Sequence, residues 1–346
     1  MVRAVLTGAA AAVPAVMDQQ GLWDEFFRDH YAGSRMAERI WRSSGVVRRH
    51  GAVDPRIEDV SGLGTGARME RYLGEAMPLG KDAVTGALDA AGVAADDVGL
   101  FAVVSCTGYA TPGVDILLAR DLGMSADVQR LLVGHMGCYA ALPGLGAVAD
   151  TVAARGLTAV LLCVELPSLH VQPATDEVEQ MVAHALFSDA AAAVVVAPDA
   201  HGLQVVDTVA RTDVGHQDHM TWDITDHGFR MGLSARVPDV LARHVHDVVT
   251  GLLAKHDLTI SDVHGWAVHP GGPRILDVCA DKLGLPEGAL DASRATLRDY
   301  GNCSSATVLL VLDELRRRTP IAVGGHVVML AFGPGLTLYA TLLRQA

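Results

Sequence analysis

Residues 128–145 constrain this chain more than any other stretch. An apolar run over 128–136 predicts a buried strand, and it breaks at Gly137. A helical pattern follows, with Leu142, Leu145, Val148 and Val152 on one face and Gly156 as its stop. Cys138 therefore falls on a strand-to-helix turn, where the positive end of the helix dipole favours thiolate over thiol. The alternative for Cys138 is a buried structural thiol, the commoner condition of a cysteine. The rest of the chain decides between them.

The same alternation recurs on both sides of this stretch. Apolar runs at 98–106, 157–165, 187–197, 203–211 and 263–268 predict strands, and helical patterns fall at 67–92, 114–122, 237–256, 274–283 and 304–318. A terminal hairpin, 326–332 with 337–343, is expected around Gly333-Pro-Gly335. Alternating strands and helices predict a layered α/β fold. The turn cluster Pro198-Asp-Ala-His-Gly202 places the boundary between two halves, residues 1–200 and 201–346. No clean sequence repeat relates them.

With 346 residues, half of them apolar, the chain has ample material for a large core. A net charge of −13 and the lack of a basic block argue against nucleic-acid binding. The cysteines Cys106, Cys138, Cys163, Cys279 and Cys303 are odd in number and widely spaced, without metal-ligand spacing. They read as reduced thiols of a cytoplasmic protein. The apolar N-terminus reads as a first strand at 3–7 and a Gly/Ala loop, not a signal peptide. No unbroken apolar run suggests a membrane span. Residues 18–42 read as an amphipathic helix with Leu22, Phe26, Phe27 and Ile40 as apolar points, and residues 166–179 as a polar cavity-lining loop. Arg35, Arg39, Arg42, Arg48 and Arg49 form the one basic cluster. They are either a solvated face or a clamp for a phosphate-bearing substrate, since guanidinium binds phosphate bidentately.

Two further residues fall where chemistry is expected. His269 follows the strand at 263–268 and opens His269-Pro-Gly-Gly-Pro273, and Asn302 precedes a helix within Tyr300-Gly-Asn-Cys-Ser-Ser305. Alone, the first is one histidine of fifteen and the second a common N-cap. With an elbow cysteine they supply what acyl-thioester chemistry needs. A thiolate holds the acyl group covalently, an imidazole keeps the thiol ionised, and imidazole and carboxamide together donate to an oxyanion. In a decarboxylative condensation the same donors stabilise the enolate left when a malonyl group loses CO2. A carboxylate there would repel it, so Asn suits the place better than Asp.

His269-Pro-Gly-Gly-Pro273, Tyr300-Gly-Asn-Cys-Ser-Ser305, Phe332-Gly-Pro-Gly-Leu-Thr337 and Leu186-Phe-Ser-Asp189, in that family's order over nearly the whole chain, resemble the type III polyketide synthases of the chalcone synthase superfamily. Ser105-Cys-Thr-Gly108 and the compact length are most similar to the bacterial branch, tetrahydroxynaphthalene synthases included. The resemblance implies a thiolase-type αβαβα fold with two pseudo-equivalent halves, a homodimer, and malonyl-CoA plus an acyl-CoA starter as substrates, without metal or other cofactor. It implies Cys138 as acyl carrier, His269 and Asn302 for decarboxylation and the oxyanion, and Phe187 as gatekeeper between CoA tunnel and cavity. Ser304 is implied at the cavity, as is Cys106, for which a small buried strand-end residue is the equal alternative. Arg39 matches one CoA-phosphate residue. The other two positions are Met36 and Ser43, so Arg35 or Arg42 is expected to substitute.

The chain departs from the family pattern at four places. Tyr139-Ala-Ala-Leu-Pro makes a bulkier helix entry, and Met231 stands where a second gatekeeper aromatic is usual. Trp222 aligns with a cavity position that is often Gly, and His170 with one that is often Thr or Cys. An indole there predicts a short product, the alternative being a Trp222 that faces the core elsewhere; His170 is expected as a polar cavity group, the alternative being a satisfied structural histidine, and His135 and His184 as structural. The competing function is a thiolase-fold acyltransferase that passes the acyl group on without extension. An intact Cys-His-Asn trio argues against a non-catalytic partner subunit.

Overall fold

The computed structural model describes residues 2–346. The first half contributes β1 (Ala4–Ala12), the short β2 (Val16–Asp18) and β3 (Arg48–His50), then β4 (Val98–Ser105), β5 (Gln129–Gly134), β6 (Thr158–Glu165) and β7 (Ala190–Pro198). The second contributes β8 (Leu203–Thr212), β9 (Met220–Thr225), β10 (Gly228–Leu233), β11 (Val263–Val268), β12 (His326–Gly333) and β13 (Thr337–Gln345). Nine of these strands run hydrogen-bonded in the order β11-β12-β13-β8-β1-β7-β6-β4-β5.

The order is nearly symmetric about the β1–β8 seam, which pairs only Val5 with Gln204 and Leu6 with Leu203. Outward from it, β1–β7 and β7–β6 are antiparallel and β6–β4 parallel. On the other side β8–β13 and β13–β12 are antiparallel and β12–β11 parallel. The repeat invisible in the letters is thus present in the pairing.

Layering follows from the two-residue period of a strand. In β6, Ala159, Leu161 and Cys163 face one core while Val160, Leu162 and Val164 face another. The first core surrounds the helices Ala141–Arg155 and Thr307–Arg318. The second lies under the long Thr65–Ala91 helix, and a third under Val237–Ala254. Helix, sheet, helix, sheet and helix stack as the five expected layers. A sheet covered on both faces explains why its strands read as continuous apolar runs.

Several expectations need correction. The run at 128–136 is β5, the edge of the sheet and not a buried strand: Leu131 and Val133 pack inward, but Leu132 is 49% exposed. An apolar run does not reveal on how many sides its strand has neighbours. Residues 18–42 are not one helix. A turn at Ala32 and Gly33, both with positive φ, separates a short helical stretch from Arg35–Ser43, which Ser34 caps. The loop 166–179 ends in an unforeseen helix, Val178–Leu186, and the β9–β10 hairpin and the Asp291–Tyr300 helix were also not anticipated. Among the described residues no helix is long and apolar enough to cross a membrane.

Candidate active site

Cys138 lies in a single turn, Gly137–Tyr139, leading into the Ala141–Arg155 helix. Its position is set by close backbone approach. A Cβ on Gly137 (φ +77°) would sit 2.7 Å from Pro334, and one on Gly333 would sit 2.9 Å from the Tyr139 ring. The loop after β12 therefore clamps the elbow, and only glycine fits on both sides of the contact. The bulky entry is accommodated by stacking Tyr139 on Tyr339, with ring centroids 5.2 Å apart.

The second half brings the partners. His269 ends β11, with its N–H donating to Leu330 O at 2.8 Å. The side chain is fully buried and neither ring nitrogen has a partner. A buried imidazole with two open nitrogens is costly unless something binds it. Asn302 is tied to the helix end Val178–Leu186: its N–H donates to Leu186 O (2.8 Å) and its carbonyl accepts from Ser188 N (3.0 Å). Asn302 Oδ1 accepts from Ser304 N at 2.9 Å, which turns its amide NH2 toward the thiol. Ser304 holds φ +49° to make that bond, backbone strain of the kind that gathers at functional sites.

Cys138, His269, Asn302, Phe187 and Met231 line one cavity of about 520 Å³, whose outer wall includes Ile40 and Ser43. Burial pushes the Cys138 thiol up to about 12, against hydrogen bonds from Ser304 and Asn302 that lower it. Burial likewise holds His269 down to about 3. Burial disfavours both charged forms, thiolate and imidazolium alike, and it outweighs the helix dipole expected to favour thiolate.

Beyond Phe187 the space closes. The pocket bounded by Cys106, Cys138, Phe187, Trp222, Met231 and Ser304 measures about 10 Å³. Trp222 and Met231 are cross-strand partners in the β9–β10 hairpin, so one hairpin delivers both. The indole N–H donates to Cys106 O at 2.6 Å. Trp222 lines this pocket and also packs against the third core. Cys106 also lines the pocket, its Sγ 3.2 Å from Ser304 Oγ. A side pocket of about 50 Å³ lies behind Trp222, walled by Phe27, His170, His184 and Phe229.

His170 is not a free polar group in the cavity. Nε2 donates to Thr107 O (2.6 Å), Nδ1 accepts from Phe229 N (3.0 Å), and the ring stacks on Phe229 at 4.5 Å. It is a post between the cavity walls. His184 is structural as expected, bonded to Tyr31 OH (2.6 Å) and Gln172 N (3.1 Å). Burial lowers His170, His184 and His269 each to about 3. Their folded values lie below the ordinary 6.5, so the unfolded chain binds more protons between about pH 3 and 6.5, and stability falls on acidification through that window. Each contributes a slope of up to about 1.4 kcal/mol per pH unit. Thermal denaturation of the protein and of His170→Asn between about pH 7 and about pH 5 checks this; the variant is expected to lose less Tm per pH unit.

The arginine cluster divides. Arg35, Arg39 and Arg42 are exposed on the helix whose Ile40 and Ser43 line the tunnel, and Arg42 pairs with Glu38 at 2.7 Å. Among the described residues Arg35 and Arg39 carry no ion pair. Arg48 pairs with Asp299 (2.8 Å), and Arg49 is buried. Sequence reasoning passed over Glu165, the one charged residue of β6. It is fully buried, accepting from Cys106 N (3.0 Å), Thr107 Oγ1 (2.8 Å) and Ser305 Oγ beneath the pocket. Its signal was a carboxylate ending a wholly apolar strand.

Five layers, an elbow cysteine on one half and a histidine and asparagine on the other define a thiolase-fold enzyme of acyl-thioester chemistry. Residues 3–200 match the chalcone and stilbene synthases, N-terminal domain, and residues 207–346 the corresponding C-terminal domain. The chain belongs to this family, the type III polyketide synthases. It is 40% identical over 322 residues to a 1,3,6,8-tetrahydroxynaphthalene synthase of Streptomyces peucetius, covering 90% of this chain and 84% of that one. It is 31% identical to the alpha-pyrone synthesis polyketide synthase-like Pks18 of Mycobacterium tuberculosis, covering 98% and 90%. The crystal structure of PKS-I from the brown alga Ectocarpus siliculosus superposes with a TM-score of 0.93 at 30% identity, covering 100% and 99%.

Proposed function

We propose that Cys138 carries a small acyl starter and extends it with malonyl-CoA by few decarboxylative condensations, ending in a short pyrone or aromatic product. The supporting observation is convergence: a buried thiol, an imidazole with two unpartnered nitrogens and an oriented carboxamide open on one tunnel. The thiol proton passes to His269 and sulfur attacks the starter thioester, expelling CoA as its thiol. Malonyl-CoA then places its thioester oxygen against His269 and Asn302. The C–C bond to the carboxylate breaks, CO2 leaves, and the electron pair enters the enolate those donors stabilise. The enolate carbon attacks the acyl carbonyl, and Cys138 is released.

The small product is supported by the 10 Å³ pocket. That is room for about one water, which favours a product shorter than the naphthalene skeleton in the Streptomyces relative's name while Trp222 holds Cys106 O. Incubation with labelled malonyl-CoA and acyl-CoAs of graded length tests the reading. Short starters give products that Cys138→Ala abolishes; turnover restricted to long starters contradicts it.

CoA thioesters as sole substrates, with no further cofactor, belong to the same proposal, as do a homodimer and a cytoplasmic location. Edge strand β5 with its exposed Leu132 supports self-association, and five free cysteines support a reducing compartment. Arg39, with Arg35 or Arg42, is assigned to the CoA phosphates. Arg39→Ala is expected to raise KM for malonyl-CoA roughly tenfold, with kcat nearly unchanged, the signature of a charge-assisted hydrogen bond made equally in ground and transition states. Initial-rate kinetics check the split.

A further inference from the structure

Arg49 is the one member of the arginine cluster that is buried, 5% exposed, and none of its hydrogen bonds goes to a carboxylate. From β3 its guanidinium reaches the C-terminal end of the Val178–Leu186 helix. Nη1 donates to His184 O (2.7 Å) and Phe187 O (3.0 Å), and Nη2 donates to Ala185 O (2.8 Å). Nε donates to Gln19 Oε1 (2.7 Å), and the group lies 4.9 Å over the Trp41 ring.

A helix leaves its last four carbonyls without intrahelical partners. Here every one is met. Ala183 O accepts from Phe187 N (3.0 Å), His184 O and Ala185 O from Arg49, and Leu186 O from Asn302 N (2.8 Å). The next carbonyl, Phe187 O, is again taken by Arg49, and Phe187 and Asn302 form a parallel bridge. The gate residue and the oxyanion carboxamide thus hang on one helix end, which Arg49 fastens together with Gln19, whose Nε2 donates to Ala185 O (3.0 Å). The Arg49 charge also faces the negative end of the helix dipole.

We propose that Arg49 is a positioning residue for the reaction, setting Asn302 and Phe187 relative to Cys138 through the end of the Val178–Leu186 helix. It is not among the residues lining the cavity that holds Cys138, His269 and Asn302. A planar fork reaches three carbonyls and a side-chain amide at once; an ammonium does not. The inference rests on the role given to Asn302 under the proposed function, and the test separates the two.

The test compares malonyl-CoA decarboxylation with alkylation of Cys138 by iodoacetamide, in which no oxyanion forms and Asn302 acts only through its hydrogen bond to the thiol. In Arg49→Lys, decarboxylation is expected to fall on the order of 10–100-fold, the scale of a misplaced catalytic group. Alkylation is expected to stay within about threefold. If that variant does not fold, Gln19→Met, which removes the acceptor of Arg49 Nε and Nη2 together with the amide's own hydrogen bond to Ala185 O, is expected to lower decarboxylation about threefold or more, with alkylation moved less. Equal losses in both reactions, or decarboxylation at the wild-type rate in a folded variant, overturn the positioning role. Wild-type protein that alkylates but releases no CO2 overturns the parent reading instead.

Discussion

Trp222→Gly lengthens the product. The indole closes the pocket beyond Phe187 to about 10 Å³ and is pinned by its bond to Cys106 O. Removing it joins that pocket to the side pocket of about 50 Å³ that Trp222 also walls. Interiors are close-packed, so the space beside Cys138 bounds the length of chain that fits. The variant is expected to give products at least one malonyl unit longer, with the wild-type product the minor species. Losing the ring costs about 2–4 kcal/mol of stability, on the scale of large-to-small substitutions, and the hairpin stays held by its β9–β10 ladder. Trp222→Leu is expected to fall between. Mass spectrometry of the product mixture decides; an unchanged chain length in the folded glycine variant contradicts the cavity argument.

Asn302→Asp is expected to lower turnover by about 10²–10³-fold while leaving the fold intact. The substitution is isosteric and keeps the oxygen that accepts from Ser304 N. What it removes is the donor facing the enolate, and what it adds is a negative charge against one. The site is buried, so the new carboxyl has a raised pKa. Its acid form regains an O–H donor, and the variant's residual activity is expected to rise relative to wild type as pH falls. Asn302 also hydrogen-bonds the Cys138 thiol, so iodoacetamide alkylation is expected to slow as well, but by far less than turnover, which separates loss of the oxyanion donor from loss of the thiol. A variant as active as wild type removes Asn302 from the mechanism.

The fold was legible where the signal is local. The elbow at Gly137, the stop at Gly156 and the two-sided apolar strands β4, β6 and β7 all follow from periodicity over a few residues. Cys138, His269 and Asn302 were legible because each ends or opens a regular element within a distinctive motif. What depended on distant partners was not. Trp222 was expected at the cavity, but not the β9–β10 hairpin that carries it or its bond to Cys106 O, which spans 116 residues. His170 looked like a free cavity group until Thr107 O and Phe229 N took both nitrogens. Arg49 sits one residue from the exposed Arg48 and reads the same in sequence; the helix end that buries it lies 135 residues away. Whether a cation is solvated is decided by tertiary packing, which spacing along the chain does not encode.

The central claim is that Cys138 becomes acylated and that the acyl group is extended with loss of CO2. Purified protein is incubated with malonyl-CoA and a short acyl-CoA, and intact protein mass is read alongside CO2 release. The account predicts an acyl adduct on Cys138 that grows in mass, CO2 released in step with new polyketide products, and neither product nor adduct in Cys138→Ala. A stable adduct with no CO2 would contradict it and point to an acyltransferase that does not extend its substrate.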